Sequence, residues 1–304
     1  MPPAPPPSER RVRAGRLELS VREWPGAGRP IVCLHGLASN ARWWDWVAAG
    51  LAPPHRVVAV DMRGHGRSDR PEHGYGFPEV TRDLEALLGQ LGLQAPVVVG
   101  HSWGASVALW LAAEVPEVAG VVCVDGGAAD LRAAFGDRWE VARERMRPPL
   151  VERLDRARVR EFVAASPISG EIGAEAATWA MLGNFEAGRG GNLRPRLDMD
   201  RHMQIARALY ELDQEALWRR NSSPVLFLMA DDGSGRMASK RAAVATAIRV
   251  AGGGAQAAYL AGVHDLPLQH PGLVARAILE FCRVLAAEDR SPEPPPERRS
   301  SPPK

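Results

Sequence analysis

The sequence predicts an α/β protein, with a mostly parallel central sheet, helices on both of its faces and a helical cap inserted late in the chain. Three observations predict it. Short β-branched apolar runs alternate with stretches of helical period, the order that builds a parallel sheet with crossover helices. Most of these runs are apolar almost throughout, as strands covered on both faces are. The alternation lapses once, between about residues 127 and 222, where helical patterns follow one another and strand signals are weak.

Taken in order, residues 1–10 are rich in proline and charge, hold almost nothing to bury, and are expected to form a solvated tail. Strands are expected at Leu17–Trp24, Ile31–His35 and Val57–Asp61. Behind Pro78, the residues Val80, Leu84, Leu87, Leu88 and Leu91 form one apolar stripe at helical spacing. A strand at Val97–Gly100 leads into a helix through Val107, Leu109, Trp110 and Leu111, and a further strand is expected at Val121–Asp125. The insertion reads as helices at Leu131–Met146, Leu150–Ala164, Ile172–Leu182 and Met199–Leu212. Strands resume at Val225–Ala230 and Ala257–Leu260, and Val274, Ile278, Phe281, Cys282 and Leu285 mark a last helix. Residues 289–304 repeat the tail composition. The chain therefore divides into a core (11–126 and 223–288), a helical cap (127–222) and two tails. A block inserted between strands of a parallel sheet tends to lie over the C-terminal strand edge, where ligands bind in such sheets. The cap is expected to cover a site there.

Composition narrows the function. A formal net charge of +2 is too small to argue for nucleic acid, and no basic stretch is interleaved with aromatics. No stretch of about 18 apolar residues is present to span a membrane. The N-terminus lacks the apolar run of a signal peptide, so a cytoplasmic location is expected. Cys33, Cys123 and Cys282 match no metal spacing and read as buried small hydrophobes. No metal, no cofactor and no membrane or nucleic-acid partner is expected. The partner expected is a small-molecule substrate, and the state a monomer or homodimer.

The segment Gly100-His101-Ser102-Trp103-Gly104 fits the G-x-S-x-G nucleophile elbow, between an apolar strand and an apolar helix. A serine on so tight a turn needs neighbours without side chains two residues either way, and Gly100 and Gly104 meet that need. Three further segments stand in a telling order: Ile31-Val32-Cys33-Leu34-His35-Gly36, Asp61-Met62-Arg63-Gly64-His65-Gly66-Arg67-Ser68-Asp69, and the late Gly262-Val263-His264-Asp265. With these the chain resembles the α/β-hydrolase superfamily, in its cap-bearing serine esterase, lipase and C–C-hydrolase branches, over most of residues 15–287.

The resemblance implies an oxyanion hole from the backbone N–H groups of Leu37 and Trp103, and a triad whose histidine comes last in the chain. Each such donor is worth roughly 3 kcal/mol to the transition state. His264 follows the last strand run and precedes the last helix, which places it at the same sheet edge as Ser102. His270, the rival in that loop, precedes Pro271 and is explained by capping. His35 is expected to bond nearby loops, His101 to pack beside the elbow, His65 to take no catalytic part, and Asp61, Arg63 and Asp69 to bond turns. The triad acid stays open. A gap-free match to the family pattern puts Gly233 in its place, and one deleted residue brings Asp232 there. Some branches carry the acid where Asp125 stands. Trp43 and Trp139 are expected to line an apolar pocket, with Trp44, Trp46, Phe135, Trp179, Met181 and Phe185 as further candidates.

These residues point to hydrolysis of an ester, thioester or lactone of a small to medium apolar substrate through an acyl-enzyme, of the carboxylesterase kind. A C–C bond hydrolase, a cofactor-free perhydrolase and a slowly turning ligand sensor use the same residues and stand as alternatives. Epoxide hydrolases and haloalkane dehalogenases attack with a carboxylate, which the elbow serine does not supply.

Overall fold

A computed structural model gives the fold, and the residues described are 6–149, 154–252 and 254–288. Eight strands form one sheet: β1 (Ser8–Ala14), β2 (Leu17–Trp24), β3 (Gly28–Leu34), β4 (His55–Asp61), β5 (Val97–His101), β6 (Gly120–Val124), β9 (Val225–Asp231) and β10 (Ala255–Ala261). Their spatial order is β1-β2-β4-β3-β5-β6-β9-β10. β1 and β2 pair antiparallel, β2 meets β4 antiparallel, and every pairing from β4 onward is parallel. All seven expected strands are present within a few residues.

Alternate side chains of the central strands enter two separate cores. In β3, Val32 and Leu34 join one cluster, whereas Ile31 and Cys33 join the other. The first is closed by α2 (Phe77–Leu91) and α3 (Trp103–Glu114), the second by α1 (Asp45–Leu51) and α12 (Pro271–Glu288). That is why the strand runs are apolar throughout. α10 (Met237–Ala251) lies between β9 and β10, and the short α11 (Leu266–Gln269) precedes α12. The three cysteines are buried free thiols. Among the described residues no helix is long and apolar enough to cross a membrane.

The insertion holds α4 (Leu131–Phe135), α5 (Trp139–Met146), α6 (Arg156–Ala165), α7 (Ala174–Leu182), a hairpin of β7 (Phe185–Ala187) and β8 (Leu193–Pro195), α8 (Met199–Glu211) and α9 (Gln214–Arg220). Aspartates open four of these helices: Asp130, Asp155, Asp198 and Asp213 each accept from the backbone N–H three residues on.

Several expectations need correction. The helix expected over Leu131–Met146 is broken at Gly136, whose φ of 76° ends α4. Gly173, at φ 80°, delays α7 to Ala174. Residues 150–153 of the helix expected at Leu150–Ala164 lie outside the described residues, and α6 starts at Arg156. The hairpin β7–β8 was not expected at all. α9 packs on α3 and α10. Ser8–Arg10, expected in the tail, open edge strand β1. The remaining tail residues 1–5 and 289–304 lie outside the described residues.

Candidate active site

Strand order reverses at β3, with β4 on one side of it and β5 on the other. The crevice at the C-terminal ends of β3 and β5 is therefore the topological switch point, where ligands bind in open parallel sheets. Ser102 stands there, between β5 and α3, with φ 53° and ψ −119°. A non-glycine residue in this region is strained by about 1–3 kcal/mol. Its own backbone helps to hold it: Ser102 N donates to Val124 O at 3.0 Å and Ser102 O accepts from Ala105 N at 3.0 Å. The flanking glycines are required by contact. A Cβ at Gly100 would lie 2.1 Å from Gly104 O, and one at Gly104 would lie 2.5 Å from Leu34 O.

The turn after β3 closes on the serine from one side. A Cβ at Gly36 would lie 3.2 Å from Ser102 Cβ, so the next residue, Leu37, starts beside the nucleophile. Two histidines lace this turn to the loop after β4. His35 Nδ1 donates to Gly36 O (2.7 Å) and its Nε2 accepts from Met62 N (3.1 Å). His65 Nδ1 donates to Arg63 O (2.9 Å) and its Nε2 accepts from Ala38 N (3.2 Å). Burial pushes His35 down to about 4 and His65 well below the ordinary histidine range, so both rings are neutral and their tautomers are set by these bonds. The Trp103 ring packs over them, 5.4 Å from His65 and 6.3 Å from His35. Trp103 N stands at the first position of α3, where the helix has no internal acceptor for it. The expected turn-bonding roles hold as well. Asp61 accepts from Ala41 N and Arg67 N, Arg63 bonds Asp83, and Asp69 accepts from Glu18 N.

On the other side stand Asp125 and His264. Asp125 ends β6 at φ 42°. Its Oδ2 accepts from His264 Nδ1 at 2.7 Å, and its Oδ1 from Ala230 N at 2.9 Å and Lys240 Nζ at 2.8 Å. The carboxylate is 5 % exposed and the His264 ring 53 %. Burial works to raise Asp125, but the hydrogen bonds and charges of His264 and Lys240 hold it down at about 2. Burial also works to lower His264, and the Asp125 bond and charge, helped by Asp265, lift it above the ordinary histidine value. His101 Nε2 donates to His264 O at 2.8 Å, and the two rings lie 4.8 Å apart. This ties the His264 loop to the residue before the serine. Among the described residues no hydrogen bond joins Ser102 to His264, and contacts of this kind often tighten only with substrate.

The two acid candidates separate clearly. Asp125 bonds His264, whereas Asp232 bonds its own turn at Ser234 N (2.9 Å) and faces Arg236 at 3.7 Å. His270 bonds Glu171 of the cap at 3.0 Å. Lys240 was missed in the sequence. His101, expected only to pack, also bonds the His264 loop.

A cavity of about 560 Å³ lies between cap and core. Ala38, Ser39 and His65 form its core-side wall, and Val159, Phe162, Met181, Phe185 and Met199 its cap side, with Arg158 and Arg196 also lining it. It borders the Leu37–Ala38 turn, and Ser102 itself is not in its wall. Trp43 and Trp139, expected in the pocket, do not line it. Trp43 is buried in the core under α1, and Trp139 packs on Tyr210. Trp179 is stacked under Arg42 and Arg22 on the outer side. Among the described residues no cluster of His, Cys, Asp or Glu is arranged to hold a metal ion.

A strand-flanked serine elbow at the switch point of such a sheet is the architecture of α/β hydrolases, and the chain has the α/β-hydrolase fold. The family model described as "alpha/beta hydrolase fold" matches residues 29–155. The 2-(acetamidomethylene)succinate hydrolase of Mesorhizobium japonicum is 38% identical over 117 residues, which is 38% of this chain and 42% of that protein. An esterase of Mycobacterium tuberculosis is 39% identical over 121 residues, 39% of each chain. These matches span less than half the length of either curated relative. The crystal structure of E-2-(acetamidomethylene)succinate hydrolase superposes with a TM-score of 0.74 at 27% identity, over 91% of this chain and 99% of that one. A thioesterase domain from the curacin biosynthetic pathway superposes at 0.72 with 20% identity, over 90% and 99%, a likeness of fold.

Proposed function

We propose that this chain is a serine hydrolase that cleaves an ester, thioester or lactone of a small to medium apolar substrate through an acyl-enzyme. The observation that carries the reading is the 2.7 Å bond between His264 and Asp125 beside the strained serine. With Nδ1–H given to an ionised carboxylate, the imidazole holds its lone pair on Nε2. It takes the Ser102 Oγ proton as that oxygen attacks the carbonyl carbon. The oxyanion that forms accepts from the N–H groups of Leu37 and Trp103. The imidazolium then protonates the leaving alkoxide or thiolate, and the acyl group stays on Ser102. In the second half His264 takes a proton from water, which attacks the ester carbon. Ser102 recovers its proton as the acid leaves. The apolar cavity beside the oxyanion turn suits the acyl or alcohol part.

One observation favours a second reading. Arg158 and Arg196 line the cavity, and one solved structure similar over most of the chain is named for an acetamido-substituted succinate. Amide-bearing carboxylic acids are therefore the second substrate class.

A fluorophosphonate should label the protein once per chain, and Ser102→Ala should abolish the label. Labelling that survives this substitution would remove the nucleophile assignment. A panel of p-nitrophenyl esters of increasing acyl length, run beside N-acyl amino-acid-like acids, separates the two substrate classes.

A further inference from the structure

The chain carries two lysines, Lys240 and Lys304, against a large excess of arginine. Lys240 is therefore the one described lysine, and it stands behind the proposed triad acid. α10 brings it past the end of β9, where its ammonium donates to Asp125 Oδ1 and to Ala230 O, each at 2.8 Å. Ala230 N donates to the same Oδ1 at 2.9 Å. Among the described residues, the hydrogen bond to Asp125 Oδ2 comes from His264. The carboxylate thus sits between two nitrogen donors, the His264 imidazole on one oxygen and the Lys240 ammonium on the other, in a crevice also bounded by Asp232, Arg236 and Met237.

Lysine suits this place for a physical reason. Its compact charge carries three freely turning donors, and two of them meet oxygens on neighbouring strands. An unscreened buried carboxylate would hold an imidazolium strongly and make it a poor acid toward the leaving group. A cation on the opposite oxygen offsets part of that field.

We propose that Lys240 is the positioning residue of this site, turning Asp125 so that Oδ2 faces His264 and offsetting the carboxylate charge so that His264 can give its proton back. The proposal rests on the serine-hydrolase reading above. The groups facing His264 are Asp125 from β6, Asp265 beside it, Lys240 from α10 and the buried ring of His101 from β5. Those facing Lys240 are Asp125 and Asp232. In this field the Lys240 charge works to lower His264 while Asp125 and Asp265 raise it. Removing the charge must then shift His264 to protonate at higher pH.

The test is the pH dependence of the second-order rate at which a fluorophosphonate labels Ser102 in the full chain. It compares wild type, Lys240→Gln, Lys240→Met and Lys240→Arg, with melting curves for each. The acid limb of the Gln variant should move to higher pH by about 0.5 unit or more, and Arg should bring it back toward wild type. The Met variant supplies the same reading if Gln does not fold. A labelled wild type with an unshifted limb in the folded neutral variants overturns the proposal alone, even if their plateau rates fall. A shift in Arg as large as in Gln also overturns it. Wild-type protein that takes no label overturns the serine-hydrolase reading, and this proposal with it.

Discussion

Two neighbouring strand ends, those of β6 and β9, each offer a carboxylate to the same edge of the sheet, yet only one engages the histidine. At the end of β6, Asp125 is 5 % exposed and meets three donors from three different segments. At the end of β9, Asp231 and Asp232 cap their own turn at Gly233 N and Ser234 N and pair with Arg241 and Arg236 near the surface. The difference lies in convergence. Asp125 stands directly after a central strand whose neighbour carries the serine, so Ser102 N bonds Val124 O one residue away. Among the described residues the β9 loop makes no hydrogen bond to the elbow, and its aspartates bond their own turn and nearby arginines.

The sharpest way to break this contrast is at the acids. Asp125→Asn should lower kcat roughly 10⁴-fold, as amide replacements of a triad acid do. Equal, mild losses in Asp125→Asn and Asp232→Asn, measured on one ester, would erase the distinction between the two strand ends. Smaller effects are expected from the glycines that follow them. A Cβ at Gly126 would lie 2.3 Å from Ser102 O, whereas one at Gly233 meets nothing within 4 Å. Gly126→Ala should therefore cost about 1–3 kcal/mol in urea unfolding together with activity. Gly233→Ala should cost only the left-handed strain, about 1–2 kcal/mol, with kcat unchanged.

The pH profile sharpens the contrast further. If His264 is the base, as proposed, it acts when neutral, so kcat/KM should rise with pH as the ring loses its proton. Asp125 and Asp265 lift the ring's pKa, so the midpoint should lie above the ordinary histidine value of about 6.5. A midpoint below that value would mean that the ring does not feel Asp125. The smallest effect is expected at Asp232→Asn, with melting temperature and kcat both close to wild type, because its carboxylate bonds its own turn at Ser234 N and not His264.

Much of this was legible in the sequence because the parallel core writes strong signals. β3, β5, β6 and β9 are apolar on both faces, and the glycines around Ser102 are forced by contacts of 2.1–2.5 Å. β1 was not legible because its side chains are mostly charged and exposed, as an edge strand's are. α10 was missed because its small residues, among them Ala242, Ala243, Ala245 and Ala247, make a weak stripe. The choice of acid depends on which of two loops a distant ring meets, and spacing along the chain does not carry that information. One signal was present and unread: a lone lysine in an arginine-rich core sequence, eight residues after Asp232. Trp43 was misplaced because a large aromatic near the turn after β3 packs a core as readily as it lines a pocket, and Trp139 because it packs on Tyr210 within the cap.

The three imidazoles packed under the elbow make this edge of the molecule intolerant of acid. Burial keeps His35 and His101 unprotonated down to about 4, and His65 well below its ordinary range. In the unfolded chain the same rings take up protons near 6.5. As pH falls below that value the unfolded chain binds more protons than the folded one, so stability present above about 6.5 drains away toward 4. The segment that loses its stitches is the one carrying Leu37 and Ala38. Modest acidification should thus slacken the turn that carries Leu37 and Ala38 before it reaches the rest of the sheet.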